Sequence, residues 1–192
     1  MQSVFTQFYC LPIRDILILM AVATWCFLRL RQQFRDRLPW KILHGAAFLA
    51  FTAVILYLTV TTRESASGSG LFLVPFHSYR EVMAGGNPEI LRSNFMNAVL
   101  FYPSGLLMAA LLPQRWPRWC RVLPVLLLFA GVSAGVEYIQ FTRGMGMAEI
   151  DDVLHNSLGA LLGSLCSLIP LPEPQPVTLQ DTPPYPESGG PR

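Results

Sequence analysis

The side chains with most chemistry to offer crowd into one short stretch: Glu137, Gln140, Arg143, Glu149, Asp151, Asp152, His155 and Asn156, with Ser133 just before them. Carboxylates, amides and an arginine at this density suit three tasks. They can hold a polar headgroup, divide acid and base roles between two carboxyl environments, or grip a divalent cation through oxygen. Each task has a plainer counterpart. Glu137 can form a structural ion pair with Arg143, or with Arg80 or Arg92 reaching in from a loop. One of Asp151 and Asp152 can cap the helix that follows, leaving the other for a cation or substrate. His155 and Asn156 can act as hydrogen-bonding glue between helices. The spacing of Glu149, Asp151, Asp152 and His155 fits no strong metal motif, so a hydrated polar pocket without metal or cofactor is expected. No nucleophile stands out: no serine lies in a G-x-S-x-G elbow, no cysteine sits beside a histidine, and Ser133 and Ser157 lack a clear base nearby.

Helical spacing decides which of these groups face one another. Ser133, Glu137 and Gln140 stand at i, i+4 and i+7 and share a stripe, as do Asp152, Asn156, Gly159 and Gly163 on the next helix. The two polar faces are expected to meet near one membrane surface, with Arg143, Glu149 and Asp151 in the connection. Gly159 and Gly163 form a G-x-x-x-G pair suited to close helix packing below them.

A membrane is implied by composition. The 192 residues are 52% hydrophobic and 14% charged, and mean hydropathy is +0.41, where soluble domains run nearer a quarter charged. The net charge of +2 is too small to suggest nucleic acid. Cys10, Cys26, Cys120 and Cys166 are scattered without a CxxC pair and read as packing residues. Residues 1 to 30 make a poor secretory signal, because the basic cluster follows the apolar run, and are expected to stay in the protein.

Five apolar runs approach the roughly 20 residues a bilayer requires. They lie near 12 to 30, 42 to 62, 94 to 113, 121 to 141 and 152 to 170, and predict an all-α polytopic bundle. Residues 1–41 supply a first helix and basic loop, 42–170 the main helical membrane domain, and 171–192 a disordered tail that holds half of the prolines. Arg29, Arg31, Arg35, Arg37, Lys41, Arg115, Arg118, Arg121 and Arg192 fall on one side. Arg14, Arg63, Arg80, Arg92 and Arg143 fall on the other. The richer side is expected to be cytoplasmic, which puts the amino terminus outside and the carboxyl terminus inside.

The long second connection, residues 63 to 93, should then be external. It opens on a flexible S-A-S-G-S-G and turns apolar at L-F-L-V-P-F-H-S-Y-R, too short to span and better read as interfacial or re-entrant. His77, Tyr79 and Arg80 there suit either a lipid headgroup or glycan, or simple anchoring at the interface. Asn87-Pro88 marks a turn before the third run, in which Pro103 predicts a kink, Ser104 and Gly105 allow a close neighbour, and Asn97 falls at the external end.

Taken in order, P-F-x-x-Y-R, N-x-x-L-F-x-P-x-G, S-x-x-x-E-x-x-Q-x-x-x-R and E-I-D-D-V-L-x-N-S-L-G-A-x-x-G resemble the VanZ-like family of bacterial membrane proteins. The resemblance is carried by Pro75, Phe76, Asn97, Phe101, Pro103, Gly105, Ser133, Glu137, Gln140, Arg143, Gly144, Glu149, Asp151, Asp152, Asn156, Gly159 and Gly163, over roughly residues 50 to 168. It implies a small helical protein of the cell envelope, in a family associated with low-level resistance to the glycopeptide teicoplanin, and it supplies no catalytic mechanism. His155 is not a feature of that pattern. Two readings follow. In one, a non-enzymatic protein binds a lipid headgroup or lipid-linked cell-wall precursor at the outer leaflet. In the other, an intramembrane enzyme acts on a lipid-linked substrate, with Glu137 as general base and the aspartates holding a cation.

Overall fold

A computed structural model describes residues 10–34, 38–61, 70–145 and 147–170. The proline-rich tail, most of the Ser65–Gly70 linker, and Arg35, Arg37 and Arg63 lie outside the described residues. Six helices and two short strands run in the order α1 Ile13–Phe34, α2 Leu38–Thr61, β1 Gly70–Phe72, α3 His77–Met83, α4 Glu89–Leu111, α5 Arg118–Thr142, β2 Met147–Glu149 and α6 Ile150–Ser167.

Three stretches are long and apolar enough to cross a membrane: Pro39–Tyr57 in α2, Glu89–Leu111, which is α4, and Arg118–Thr142, which is α5. Neither α1 nor α6 joins them by length and composition. Four charged residues, Arg14, Asp15, Arg29 and Arg31, dilute the apolar run of α1, while α6 carries Asp151, Asp152, His155 and Asn156. Polarity is inverted relative to a water-soluble protein. Leu17, Ile18, Leu49, Val54, Leu127 and Tyr138 point outward, while Ser104, Ser133, Gln140, Asp151 and Ser164 are buried. A large apolar exterior around a polar interior is what lipid contact selects. The protein is a helical membrane protein.

The helices run up and down between two ends. At one end Gln140 Nε2 of α5 donates to the Thr59 carbonyl near the end of α2, and Arg92 Nη2 of α4 donates to the Leu11 carbonyl just before α1. At the other end Arg31 of α1 reaches Ser167 of α6 and Gln114 beyond α4. We call the first the site end and the second the basic end.

Side by side at the centre run α4 and α6, in the same direction, and small residues set their spacing. A Cβ added to Gly159 would fall on the Ala98 carbonyl, one on Gly163 on the Tyr102 carbonyl, and one on Gly105 on the Ala160 carbonyl. Around this seam Ile55, Phe101, Ala109, Val125, Phe129 and Ala160 form the main apolar core, and Ile16, Met96 and Val99 pack a smaller one against α1. Helix α4 continues through Pro103 and begins at Glu89, directly after the Asn87-Pro88 turn.

Two features depart from the all-helical expectation. Strands β1 and β2 pair in parallel, Gly70 with Met147, Leu71 with Ala148 and Phe72 with Glu149, tying the loop before α3 to the α5–α6 connection. The apolar piece of that loop neither spans nor re-enters. It folds into β1 and the seven-residue α3, leaving Leu71, Leu73, Val74 and Phe76 exposed.

Candidate functional site

The two stripes read from helical spacing face inward. Ser133, Glu137 and Gln140 of α5 are buried, as are Asp152, Asn156, Gly159 and Gly163 of α6. They meet directly: Asn156 Nδ2 donates to Ser133 Oγ at 2.8 Å. Higher at the site end, the Glu149 amide donates to Glu137 Oε2 at 3.0 Å. Glu149 is the N-cap residue of α6 and makes no capping bond with its own side chain, so a carboxylate from α5 serves the start of α6, where the helix dipole favours negative charge. From α4, Asn97 Nδ2 donates to Asp152 Oδ1 at 2.7 Å. The site thus draws on α4, α5 and α6 together.

Asp151 corrects the expectation that an aspartate here caps its own helix. It is 1% exposed, and its carboxylate turns to the external loop. Oδ1 accepts from the Phe76 amide at 2.5 Å, and Oδ2 accepts from the Ser78 amide at 2.9 Å and the Ser78 hydroxyl at 2.5 Å. Phe76 is the N-cap position of α3 and Ser78 the second residue of that helix, so these are the orphan amides a capping side chain normally takes. Phe76 cannot cap through its own side chain, and Asp151 does so from 75 residues away. The same bond holds Phe76 at φ 60°, a left-handed conformation that a bulky residue adopts only under restraint. Asn94 Nδ2 completes the cluster by donating to Ser78 Oγ at 2.8 Å.

His155 faces α3 on the next turn. Its Nδ1 lies 2.5 Å from the Asp151 carbonyl, which can only accept, so Nδ1 carries a hydrogen. In the neutral ring Nε2 is then the acceptor for the Tyr79 hydroxyl, 2.7 Å away, and the two rings stack with centroids 5.7 Å apart. Tyr79 is 38% exposed. The chain Tyr79–His155–Asp151 carbonyl therefore runs from the surface to the buried start of α6.

Other expected members lie apart. Arg80 and Arg143 are exposed, and neither forms an ion pair among the described residues. His77 approaches Glu81 at 3.9 Å and packs on Phe72, outside the network. Asp151 and Asp152 turn to different partners, and among the described residues no three His, Cys, Asp or Glu side chains group closely enough to hold a metal. Ser78 and Asn94 belong to the network without having been singled out in the sequence. The available signal was a lone serine directly after an apolar wedge.

One buried acceptor has no partner. Asn156 Oδ1 is shielded from solvent and lacks a hydrogen bond, although its own amide nitrogen is satisfied by Ser133. Buried carbonyl oxygens of this kind are normally met by protein, water or a ligand donor.

No curated protein and no solved structure matches the chain. The family model described as VanZ/LLP1 matches residues 15–170, wider than the 50 to 168 that the motifs cover and including α1. With that match spanning most of the chain, and with the motif residues gathered in one buried network, the protein belongs to the VanZ/LLP1 family.

Proposed function

We propose that this is a five-crossing protein of the bacterial cell membrane, amino terminus outside and carboxyl terminus inside, that holds a lipid headgroup or lipid-linked cell-wall precursor at the outer leaflet. The observation that carries the reading is the coupling of two unlike surfaces through Asp151. Its carboxylate anchors the loop whose Leu73, Val74 and Phe76 stand exposed, and its helix carries Asp152 and Asn156 into the polar network. A lipid presents the same pair, acyl chain and polar head, in the same order. Exposed apolar side chains beside a polar interior suit the boundary between headgroups and acyl chains, and the unpartnered Asn156 oxygen offers an acceptor for a ligand donor. Shielding a cell-wall precursor in this way would reduce access of a glycopeptide such as teicoplanin.

The test is complementation by the double variant Glu137→Gln, Asp152→Asn in a strain whose glycopeptide susceptibility depends on the protein. Loss of the phenotype with normal protein level is expected. An intact phenotype refutes the site.

An enzymatic reading has one observation in its favour, the Tyr79–His155 contact, which links an accessible hydroxyl to a ring that can exchange a proton. Purified protein in lipid, incubated with labelled lipid-linked precursor, separates the two. Unchanged precursor supports binding alone, and turnover abolished in Tyr79→Phe supports acid–base chemistry.

A further inference from the structure

The basic end of the bundle plays no part in that reading, yet it holds unspent donors. There α1, α4, α5 and α6 come together: Arg31 Nη1 donates to the Ser167 carbonyl at 2.6 Å, while Arg31 Nη2 and Arg121 Nη1 both donate to Gln114 Oε1, at 2.5 and 2.8 Å. One amide oxygen thus serves two guanidinium groups. The described acidic residues, from Asp15 to Asp152, all belong to the site end. Beside this knot lies a cavity of about 250 Å³, lined on its polar side by Arg31, Trp40, Lys41, His44 and Gln114.

Two of those lining residues carry buried nitrogens with no hydrogen-bond partner, Trp40 Nε1 and His44 Nε2, and the Nε of neighbouring Arg121 is in the same state. His44 is only 7% exposed. Its Nδ1 lies 3.1 Å from the Trp40 carbonyl, which leaves Nε2 as the side of the ring open to a ligand. Orphaned buried N–H groups are rare, because leaving them unmet costs folding free energy. Here they gather where positive charge is also uncompensated by any described carboxylate. Helix α2, which supplies Trp40, Lys41 and His44, has no acidic residue in its first turn.

From this geometry we infer a phosphate site: the cavity takes an anionic phosphoryl group, supplied by a phospholipid headgroup or by soluble phosphate. Trp40 Nε1–H and the Arg31 and Lys41 cations meet its oxygens, and His44 Nε2 accepts from a protonated phosphoryl oxygen or donates when the ring is charged. Drug-sized ligands occupy pockets of about 300–1,000 Å³, so this smaller space suits a headgroup-sized anion. The inference is independent of the proposed function, since it uses none of the residues at the site end.

Native mass spectrometry of the full chain in neutral detergent tests it, with phosphatidylglycerol, phosphatidylcholine and inorganic phosphate added in separate titrations. Saturable uptake of one phosphatidylglycerol in preference to phosphatidylcholine is expected. Lys41→Gln should weaken it about fivefold through loss of one cation near the membrane surface. Trp40→Phe keeps an aromatic ring, removes the donor and should weaken uptake as well. Lys41 is exposed, so its variant should melt as the parent does, and a melting curve on both variants separates lost binding from lost fold. Inorganic phosphate that binds and competes assigns the soluble source; uptake of phosphatidylglycerol alone assigns the lipid. No saturable binding of either, or binding unchanged in both variants, overturns the site.

Discussion

Replacing Asp151 with asparagine removes a charge without removing bulk, and the structure says what that does to the external loop. The carboxylate receives three donors, the amides of Phe76 and Ser78 and the Ser78 hydroxyl. An asparagine can keep its oxygen toward Ser78, but its NH2 then faces the Phe76 N–H, donor against donor. At least one hydrogen bond to a charged group is lost, worth about 1.5–3 kcal/mol, and the strained Phe76 loses its restraint. A loss of about 2 kcal/mol raises the opening equilibrium of α3 roughly 30-fold. Asp151→Ala forfeits all three bonds and should cost about 4–5 kcal/mol. Hydrogen exchange read by mass spectrometry in lipid nanodiscs is the assay, because opening of one segment appears there without global unfolding. The reporting amides are those bonded within and after α3: Arg80 to the Phe76 carbonyl, Ala84 to the Arg80 carbonyl and Gly86 to the Glu81 carbonyl. They should exchange about 30-fold faster in Asp151→Asn, while α5 stays as protected as in the parent. Unchanged protection of residues 76–86 in both variants would show that Asp151 does not hold the loop, and the link between wedge and polar network would fall with it.

Two further substitutions probe the scaffold. Gly159→Ala should destabilise by about 1–3 kcal/mol, because its Cβ meets the backbone carbonyl of Ala98 rather than a side chain that can move aside. Gly135→Ala in α5, whose Cβ would meet nothing within 4 Å, should be neutral or gain up to about 1 kcal/mol in helix propensity; equal unfolding midpoints in mixed micelles would refute the contrast. Tyr102→Phe removes the buried bond to Thr24 Oγ1 at 2.7 Å that joins α4 to α1. Thr24 still bonds the Met20 carbonyl, so the loss should be about 0.6 kcal/mol, the average for such interhelical bonds in a membrane, and a raised melting midpoint would contradict it.

Local periodicity made the inward faces of α5 and α6 legible. Ser133, Glu137 and Gln140 follow the helical repeat, as do Asp152, Asn156, Gly159 and Gly163, and a repeat of 3.6 needs no knowledge of the neighbours. The two-ended topology was legible for a similar reason, since charge clusters mark where apolar runs stop. The partners of Asp151 were not legible, because Phe76 and Ser78 stand more than 70 residues away and nothing in the local spacing distinguishes capping its own helix from capping another. The parallel pairing of β1 with β2 escaped notice for the same reason: three residues on each side are too few to show an alternating pattern. Arg80 and Arg143 were drawn in by charge alone, and both turn outward instead.

The glycine seam and the polar network are one device. Helices α4 and α6 start together at the site end, and their backbones approach at Gly159 and Ala98 more closely than a Cβ allows. Asn97 precedes Ala98 by one residue, and Asp152 stands seven residues, about two turns, before Gly159. The 2.7 Å bond between Asn97 and Asp152 is therefore set by a contact less than three turns below it. Separating the helices by about 1 Å would carry that bond past the range in which an N–H···O interaction retains its strength. Asp151, on the same first turn of α6, would move with Asp152 and draw the Phe76–Ser78 loop along. Gly159→Ala should consequently loosen two things that share no atoms with the substituted residue, the Asn97–Asp152 pair and the protection of α3. Stability lost without any rise in exchange over residues 76–86 would show that the seam only packs the bundle, and that the network is positioned by something else.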